Sequence, residues 1–115
     1  VKYEKLGNDE MPESSDTIKK RVNDARKIQI ERYKQENIYS NSSLTPKLIS
    51  KYCKLDSEGK EILQTAFEKM GLSARAYGRI LKVARTIADL EESKDIQVRH
   101  LAEAIQYRSL DKFIK

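Results

Sequence analysis

The sequence is poor in the residues that small proteins use for covalent cross-links and metal sites. It has one cysteine, Cys53, and one histidine, His100, in 115 residues. A single cysteine can form no internal disulfide, and neither residue has enough neighbouring ligands for a zinc site. We therefore expect no bound metal, and the cysteine usage favours a reducing, cytoplasmic setting.

Long apolar runs and motifs for catalysis are missing as well. The sequence contains no run of about 18 apolar residues that could span a membrane, and no signal peptide opens the chain. There is no Gly-x-x-x-x-Gly-Lys-Ser/Thr loop to hold the α- and β-phosphates of a nucleotide, and no Ser-His-Asp set. We expect a soluble chain that associates with no membrane and is not an enzyme by itself.

Charged residues, in contrast, are abundant. They make up 36% of the chain against 38% for apolar residues, and 23 Lys and Arg exceed 18 Asp and Glu to give a net charge of +5. This balance is typical of a small helical domain in which each helix buries one stripe and exposes the rest. The excess of positive charge permits an anionic partner without requiring one.

Capping residues and apolar spacing predict an all-α bundle of about five helices with a short extended N-terminal segment. The chain begins with Val1 rather than methionine, and we expect it to be part of a longer chain. The extended segment contains Val1, Tyr3 and Leu6 and is followed by a linker up to Ser14. The predicted helices run from Ser15 to the Glu36 region, from Thr45-Pro46 to Tyr52, from Asp56 to a left-handed Gly71, from Ser73 to Glu91 and from Gln97 to Tyr107.

The fourth predicted helix has an apolar half and a basic half. Arg75, Arg79 and Lys82 fall within roughly 60° of one another on the helical wheel, and Arg85 lies beside them. Stacking like charges at this spacing costs a few tenths of a kcal/mol per pair, and Arg75 also opposes the helix dipole. Such an arrangement is favourable when an anion such as phosphate binds. Alternatively, Arg75 pairs with an acid from another helix, and the remaining cations are solvated.

The apolar half and the isolated polar residues predict core positions. The residues expected on the buried half of this helix are Leu72, Ala76, Tyr77, Ile80, Leu81, Val83, Ala84, Ile87 and Ala88. Cys53 is expected to be a small buried hydrophobe, and His100 a surface or partly buried side chain. Tyr33, Tyr77 and Tyr107 favour the core over base stacking. Gly78 costs the helix roughly 1 kcal/mol for no evident reason.

Four collinear stretches resemble the C-terminal domain of magnesium-chelatase-like ATPases of the ComM group. They cover nearly the whole chain in the same order and at similar spacing. The most specific is the fourth helix, with LSARAY at 72–77 and VARTIADL at 83–90. The others are ESS at 13–15 with Ile18, Arg21-Val22 and Ala25-Arg26, then YCKL at 52–55, and HLAEAIQYR at 100–108.

The resemblance implies a place in an AAA+ ATPase. Residues 1–14 would be the end of the AAA+ core with its linker, and residues 15–115 the helical lid. Arg75, in its Ser-x-Arg setting, matches the sensor-2 arginine that touches the γ-phosphate of ATP, and Arg79 is expected to contribute to the same site. ATP with Mg²⁺ would be bound in the full-length protein and by no site in this chain alone.

The resemblance also implies partners: the protein's own AAA+ core, neighbouring subunits of a ring, expected to be a hexamer, and a substrate of the motor. The substrate is either DNA or a tetrapyrrole, and DNA is the expected one. Lys82 and Arg85 are the candidate nucleic-acid contacts. The alternative function is a free-standing helical DNA-binding module using Arg75, Arg79, Lys82 and Arg85 on phosphates. Four such contacts predict a log–log salt slope of about −3 to −4 for duplex binding. A purely structural oligomerisation bundle is the third possibility.

Overall fold

A computed structural model describes the backbone of residues 14–114 and the side chains of residues 14–107. This part of the chain contains five α-helices, one 3₁₀ turn and no strand, which confirms the all-α prediction. The predicted extended segment at Val1, Tyr3 and Leu6 lies outside the described residues. The elements are α1 (Ser15–Arg32), the 3₁₀ turn (Asn41–Ser43), α2 (Pro46–Tyr52), α3 (Ser57–Met70), α4 (Ala74–Leu90) and α5 (Val98–Ile114).

Four of the helices begin at a side-chain cap that the sequence predicts. In each, a hydroxyl or carboxylate oxygen accepts a hydrogen bond from the backbone N–H three residues later, which satisfies one of the free donors of the first turn. The pairs are Ser14 with Thr17, Thr45 with Leu48, Asp56 with Gly59, and Ser73 with Ala76. Gly71 ends α3 in the left-handed conformation, at φ +61°, as predicted. The caps therefore set where α2, α3 and α4 start.

Helices α1 and α5 differ in length from the prediction. Helix α1 ends at Arg32 instead of continuing to the Glu36 region, because the chain turns over residues 33–37 and Asn37 takes a positive φ of 61°. A left-handed residue cannot continue a right-handed helix, and asparagine tolerates this conformation better than most residues. Helix α5 continues past Tyr107 to Ile114.

Helix α4 is the central element of the bundle. It contacts α1, α2, α5 and the 3₁₀ turn, and Ala84 and Ala88 on its buried side are fully shielded from solvent. Small side chains at these positions allow the neighbouring helices to approach closely. Seven of the nine residues expected on the buried half of α4 are buried, and Tyr77 is half-buried. The prediction is wrong for Val83, which is 38% exposed at the edge of the stripe.

Candidate functional site

Helix α4 presents two free arginines on its N-terminal half. The cap formed by Ser73 places Arg75 in the first turn and Arg79 one turn later on the same face. Both side chains are exposed, and neither has a hydrogen-bond or ion-pair partner among the described residues. The possibility that Arg75 is paired with an acid from another helix is therefore not realised in this part of the chain.

These arginines line a cleft of roughly 1120 Å³ between α2 and α4. Its apolar surface comes from α2, the segment around it and the buried edge of α4. The residues of this surface are Leu44, Pro46, Ile49, Cys53, Leu55, Tyr77 and Leu81. A concave site of this kind, apolar with a few charged groups, is the usual form of a ligand pocket, although its volume lies at the upper end for a small molecule.

The charged residues of the cleft all have one sign. Among the residues that the structure describes, no Asp or Glu lines it and five basic residues do: Lys54, Lys60, Arg75, Arg79 and Lys82. At the chain's ratio of 18 acidic to 23 basic residues, five basic residues would be accompanied by about four acidic ones. A low-dielectric concave wall lined by cations concentrates anions. The cleft can therefore bind a multiply charged anion.

Gly78 lies where α2 packs against α4, and this contact favours a small residue without requiring glycine. A Cβ atom at Gly78 would stand 3.4 Å from Cδ1 of Ile49, at the near edge of ordinary van der Waals contact. Alanine therefore fits, whereas any longer side chain would push α2 away. The small residue keeps the apolar surface of the cleft close to the arginines.

Lys82 occupies a different position from the two arginines. Its Nζ donates a hydrogen bond to the carbonyl oxygen of Ser42 in the 3₁₀ turn, at 3.3 Å, and the residue is half-buried. Lys82 and Arg79 also line a second groove of roughly 910 Å³ beside α5, where Glu91 and Glu103 contribute negative charge. Lys82 thus lies between the cleft and a groove of mixed charge.

Arg85 does not belong to the basic face, and the prediction that it lies there beside Lys82 is wrong. Arg85 is 4% exposed, and its guanidinium donates to the carbonyl oxygens of Ser93 at 2.8 Å and Lys94 at 3.1 Å. The same group pairs with Asp89 at 3.2 Å. The helical wheel placed Arg85 at the border of the two halves, and the loop after α4 folds over that border. Its guanidinium has no exposed surface to offer a phosphate.

Asp89 is the centre of a buried polar network that sequence reasoning missed. Its carboxylate accepts from Nη2 of Arg32 at 2.5 Å and from Nδ2 of Asn41 at 3.0 Å. Burial is the largest single effect on the pKa of Arg32 and lowers it, but the hydrogen bonds and charge interactions with Asp89 and Tyr33 together outweigh burial and raise the pKa. The sequence did contain a signal for this network: Asp89 lies in the apolar stripe of α4, four residues after Arg85. Its distant partners could not be read from the sequence.

The same network includes Tyr33 and Gln29. The hydroxyl of Tyr33 donates to Oδ1 of Asn41 at 2.5 Å, and Oε1 of Gln29 accepts from the backbone N–H of Asn41 at 3.0 Å. Asn41 in turn donates to Oγ1 of Thr86 at 2.9 Å. These bonds hold α1 and the 3₁₀ turn against α4. They fix the helix that carries the two free arginines.

Cys53 and the tyrosines lie largely as the sequence predicts. Burial raises the pKa of the Cys53 thiol from its usual 9.0 to about 11, and the residue is 4% exposed. A thiol of this kind is a core residue and a poor nucleophile at neutral pH, which confirms the prediction. Tyr33 is fully buried and Tyr77 packs edge-on against Phe67. Tyr107 is 51% exposed, so the core prediction is wrong there.

His100 is more buried than predicted. Its side chain is fully shielded, Nδ1 accepts a hydrogen bond from the backbone N–H of Gln97 at 2.9 Å, and Nε2 lies 3.0 Å from Oε1 of Glu91. The imidazole takes the place of the glutamate or glutamine of a capping box at the start of α5. The expectation of a surface or partly buried histidine is wrong because this cap draws the ring inward.

The described residues show no cluster that could hold a metal and no span for a membrane. Within residues 14–107 no three His, Cys, Asp or Glu side chains come together in a metal-binding arrangement. None of the helices that the structure describes is both long and apolar enough to cross a bilayer.

Comparison with known proteins gives one family and several relatives. Residues 12–108 match the family described as magnesium chelatase, subunit ChlI C-terminal. The chain is 44% identical over 103 residues to the competence protein ComM of Haemophilus influenzae, an alignment that covers 90% of this chain and 19% of that protein. It is 44% identical over 102 residues to the uncharacterized protein YifB of Escherichia coli, covering 89% and 19% of the two chains. The chain therefore spans about a fifth of the length of the curated relatives it matches.

Proposed function

The chain belongs to the family of magnesium chelatase subunit ChlI C-terminal domains, of the ComM type, and on this basis we propose that it is the nucleotide-sensing lid of a larger AAA+ ATPase. In this proposal the lid packs beside a core domain of the same protein, which holds ATP and Mg²⁺. Arg75 reaches the terminal phosphate of that ATP, and Arg79 supports it one turn further along α4.

The observation that carries the proposal is the unpaired Arg75 at the start of α4. An exposed arginine in the first turn opposes the helix dipole, and a second arginine four residues later adds repulsion. No acid among the described residues pairs with these arginines. The described charged residues that line the cleft beside them are all basic. A phosphate group placed there would be stabilised by both guanidinium groups and by the low-dielectric wall of the cleft.

The mechanism that follows is electrostatic and conformational. Phosphoryl transfer develops charge on the phosphate oxygens and the leaving group, and a positioned arginine stabilises that charge. When the terminal phosphate leaves, Arg75 loses its partner and the free energy that held the lid against the nucleotide falls. Because α4 is fixed to α1 through Asp89 and Asn41, the change at Arg75 would move these helices together.

The proposed assembly is a ring, expected to be a hexamer, in which Arg75 contacts the nucleotide of its own subunit or of a neighbour. The resemblance to the ComM group favours DNA as the substrate of the assembled motor. Lys82, at the edge of the second groove, is the candidate DNA contact of this chain. These partners are part of the proposal and belong to the larger protein.

The alternative of a free-standing DNA-binding module loses support from the structure. It relied on four phosphate-contacting cations, but Arg85 is buried and pairs with Asp89, so that no more than three remain. Two freely exposed arginines on α4 are few for such a module, which usually has a denser basic patch.

The test is the ATPase rate of the full-length protein with Arg75→Ala. We expect kcat to fall by about 10- to 1000-fold, the range found when a positioned charge stabiliser is removed. Arg26→Ala is the matched control, because Arg26 is an exposed arginine on α1 and is expected to leave the rate unchanged. Full activity of the Arg75 variant would remove this residue from the mechanism.

A further inference from the structure

The cleft has a second group of cations that the proposed role of Arg75 does not use. Lys54 lies in the connection between α2 and α3, and Lys60 lies in the first turns of α3. Both are exposed, both line the cleft, and neither has a partner among the side chains that the structure describes. They therefore bring positive charge to the cleft from an element other than α4.

The acids near these lysines in the sequence, Asp56, Glu58 and Glu61, are all absent from the lining of the cleft. Asp56 lies between the two lysines, and its Oδ1 accepts the backbone N–H of Gly59 at 2.7 Å as the cap of α3. The cap holds this carboxylate on the backbone. Within residues 14–107, Lys54 and Lys60 therefore have no counter-charge in the cleft.

The amount of charge decides which anion fits. A single phosphate group carries about −2 at neutral pH, which would leave most of the five cations of the cleft unbalanced. A triphosphate carries about −4 along an extended chain, close to the charge of the cleft. The volume of roughly 1120 Å³ also leaves room for more than one phosphate group.

We propose that Lys54 and Lys60 form a second phosphate-contacting wall of the cleft, so that it binds a polyphosphate chain along its length and not one terminal phosphate alone. This inference rests on the proposed function, because it assigns the same cleft to the same class of ligand. It adds two positioning residues outside α4. The polyphosphate chain belongs either to a nucleoside triphosphate or to free inorganic polyphosphate, and the test below separates the two.

The test uses the 115-residue chain, labelled with ¹⁵N, titrated with sodium tripolyphosphate, orthophosphate or ATP. We expect tripolyphosphate to shift amide resonances in two regions together, 54–60 and 74–79, and to bind at least tenfold more tightly than orthophosphate. Equal affinity for tripolyphosphate and ATP would identify the polyphosphate chain as what is recognised, whereas tighter ATP binding would add a contribution from the apolar surface. Binding of tripolyphosphate without binding of ATP would support the second wall and identify free polyphosphate as its ligand.

The double variant Lys54→Ala/Lys60→Ala decides whether these lysines contact the polyphosphate. The double variant Lys19→Ala/Lys27→Ala is the control. Both doubles remove two exposed lysines and the same formal charge, but Lys19 and Lys27 lie on α1 outside the cleft. We expect the first double to weaken tripolyphosphate binding by about 3- to 30-fold and the control by less than about 2-fold. Circular dichroism would verify that both doubles fold.

Three outcomes would overturn the second wall. They are equal weakening by both doubles, equal binding of orthophosphate and tripolyphosphate, and no shift in residues 54–60 at about 20 mM ligand, well above the millimolar range expected for a weak site. If the Lys54/Lys60 double binds normally while Arg75→Ala lowers the ATPase rate of the full-length protein, the second wall is wrong and the proposed function stands.

Discussion

Arg32 and Asp89 lie 57 residues apart in the sequence and form a partly buried ion pair with two hydrogen bonds between α1 and α4. Nη2 of Arg32 is 2.5 Å from Oδ1 of Asp89, and Nη1 is 3.1 Å from Oδ2. Arg85 reaches the same carboxylate from within α4. The pair joins the first helix to the helix that carries the candidate phosphate-binding residues.

We predict that Asp89→Ala lowers the free energy of unfolding by about 3–5 kcal/mol. The substitution leaves the buried guanidinium of Arg85 and the half-buried guanidinium of Arg32 without a counter-charge, and an uncompensated buried charge is among the most destabilising changes in a protein. Urea unfolding followed by circular dichroism measures the difference.

Arg32→Met is the comparison for this prediction. It removes one cation but leaves Asp89 paired with Arg85 and bonded to Asn41, so we expect a smaller loss of about 1–2 kcal/mol. Equal losses in the two variants would show that Arg85 does not compensate Asp89 and that the network depends on Arg32 alone.

We predict that Gly78→Ala stabilises the domain by about 0.5–1 kcal/mol. Alanine restores helix propensity in the middle of α4, and its Cβ meets only Cδ1 of Ile49 at 3.4 Å. For a domain of this size, the midpoint temperature of thermal unfolding should rise by roughly 2–8 °C. Gly78→Leu should instead destabilise by about 1–3 kcal/mol, because it forces α2 away from α4.

Gly71→Ala is the comparison for Gly78→Ala. It tests the cost of an unfavourable backbone conformation at a position where the added methyl group has room. Gly71 has open space around it but a φ of +61°. We expect a loss of about 1 kcal/mol there, because alanine is strained in the left-handed region. If Gly78→Ala destabilised as much as Gly71→Ala, the crossing of α2 and α4 would be tighter than the structure indicates.

We predict that Cys53 makes stability depend on pH between about 9 and 11. Burial raises the pKa of the folded thiol to about 11, above its usual 9.0. The unfolded chain therefore loses this proton first as pH rises, and the unfolding free energy falls with pH. The contribution of the protonated thiol to the free energy of unfolding is fully present below pH 9 and is lost by about pH 11. The total loss is at most about 2–3 kcal/mol.

Cys53→Ala isolates this contribution from the lysines and tyrosines that titrate in the same range. The difference in unfolding free energy between the native protein and the variant, measured at pH 7.5 and pH 10.5, should shrink as pH rises. A difference that stays constant would mean that the thiol has the same pKa in the folded and unfolded chains. Slow alkylation of Cys53 by iodoacetamide without denaturant would agree with the prediction.

The fold could be predicted closely because local interactions define most of it. Ser73 and Asp56 cap their helices through bonds to residues only three positions away, and Gly71 ends α3 through its own backbone conformation. Such interactions are encoded within a few neighbouring residues. Residues at the border of the buried stripe were harder to predict. The exposure of Val83 was missed because a helical wheel gives the angle of a side chain but not how far a neighbouring helix extends.

The candidate site could be predicted only in part. The cluster of Arg75 and Arg79 follows from helical spacing, since residues four apart share a face. Arg85 has similar spacing, yet it is buried because Ser93 and Lys94 supply carbonyl oxygens from the loop after α4. Lys54 and Lys60 were missed because their place in the cleft depends on how the α2–α3 connection packs beside α4.

By itself, the sequence determined the helices, their caps, the family and the positive face at the start of α4, because all of these are local patterns or matches along the chain. Only the tertiary structure decided which cations are free and which are paired. Whether a charged side chain is free to bind a ligand depends on its neighbours in space. Those neighbours can come from helices far away in the sequence, as Arg32 does for Asp89.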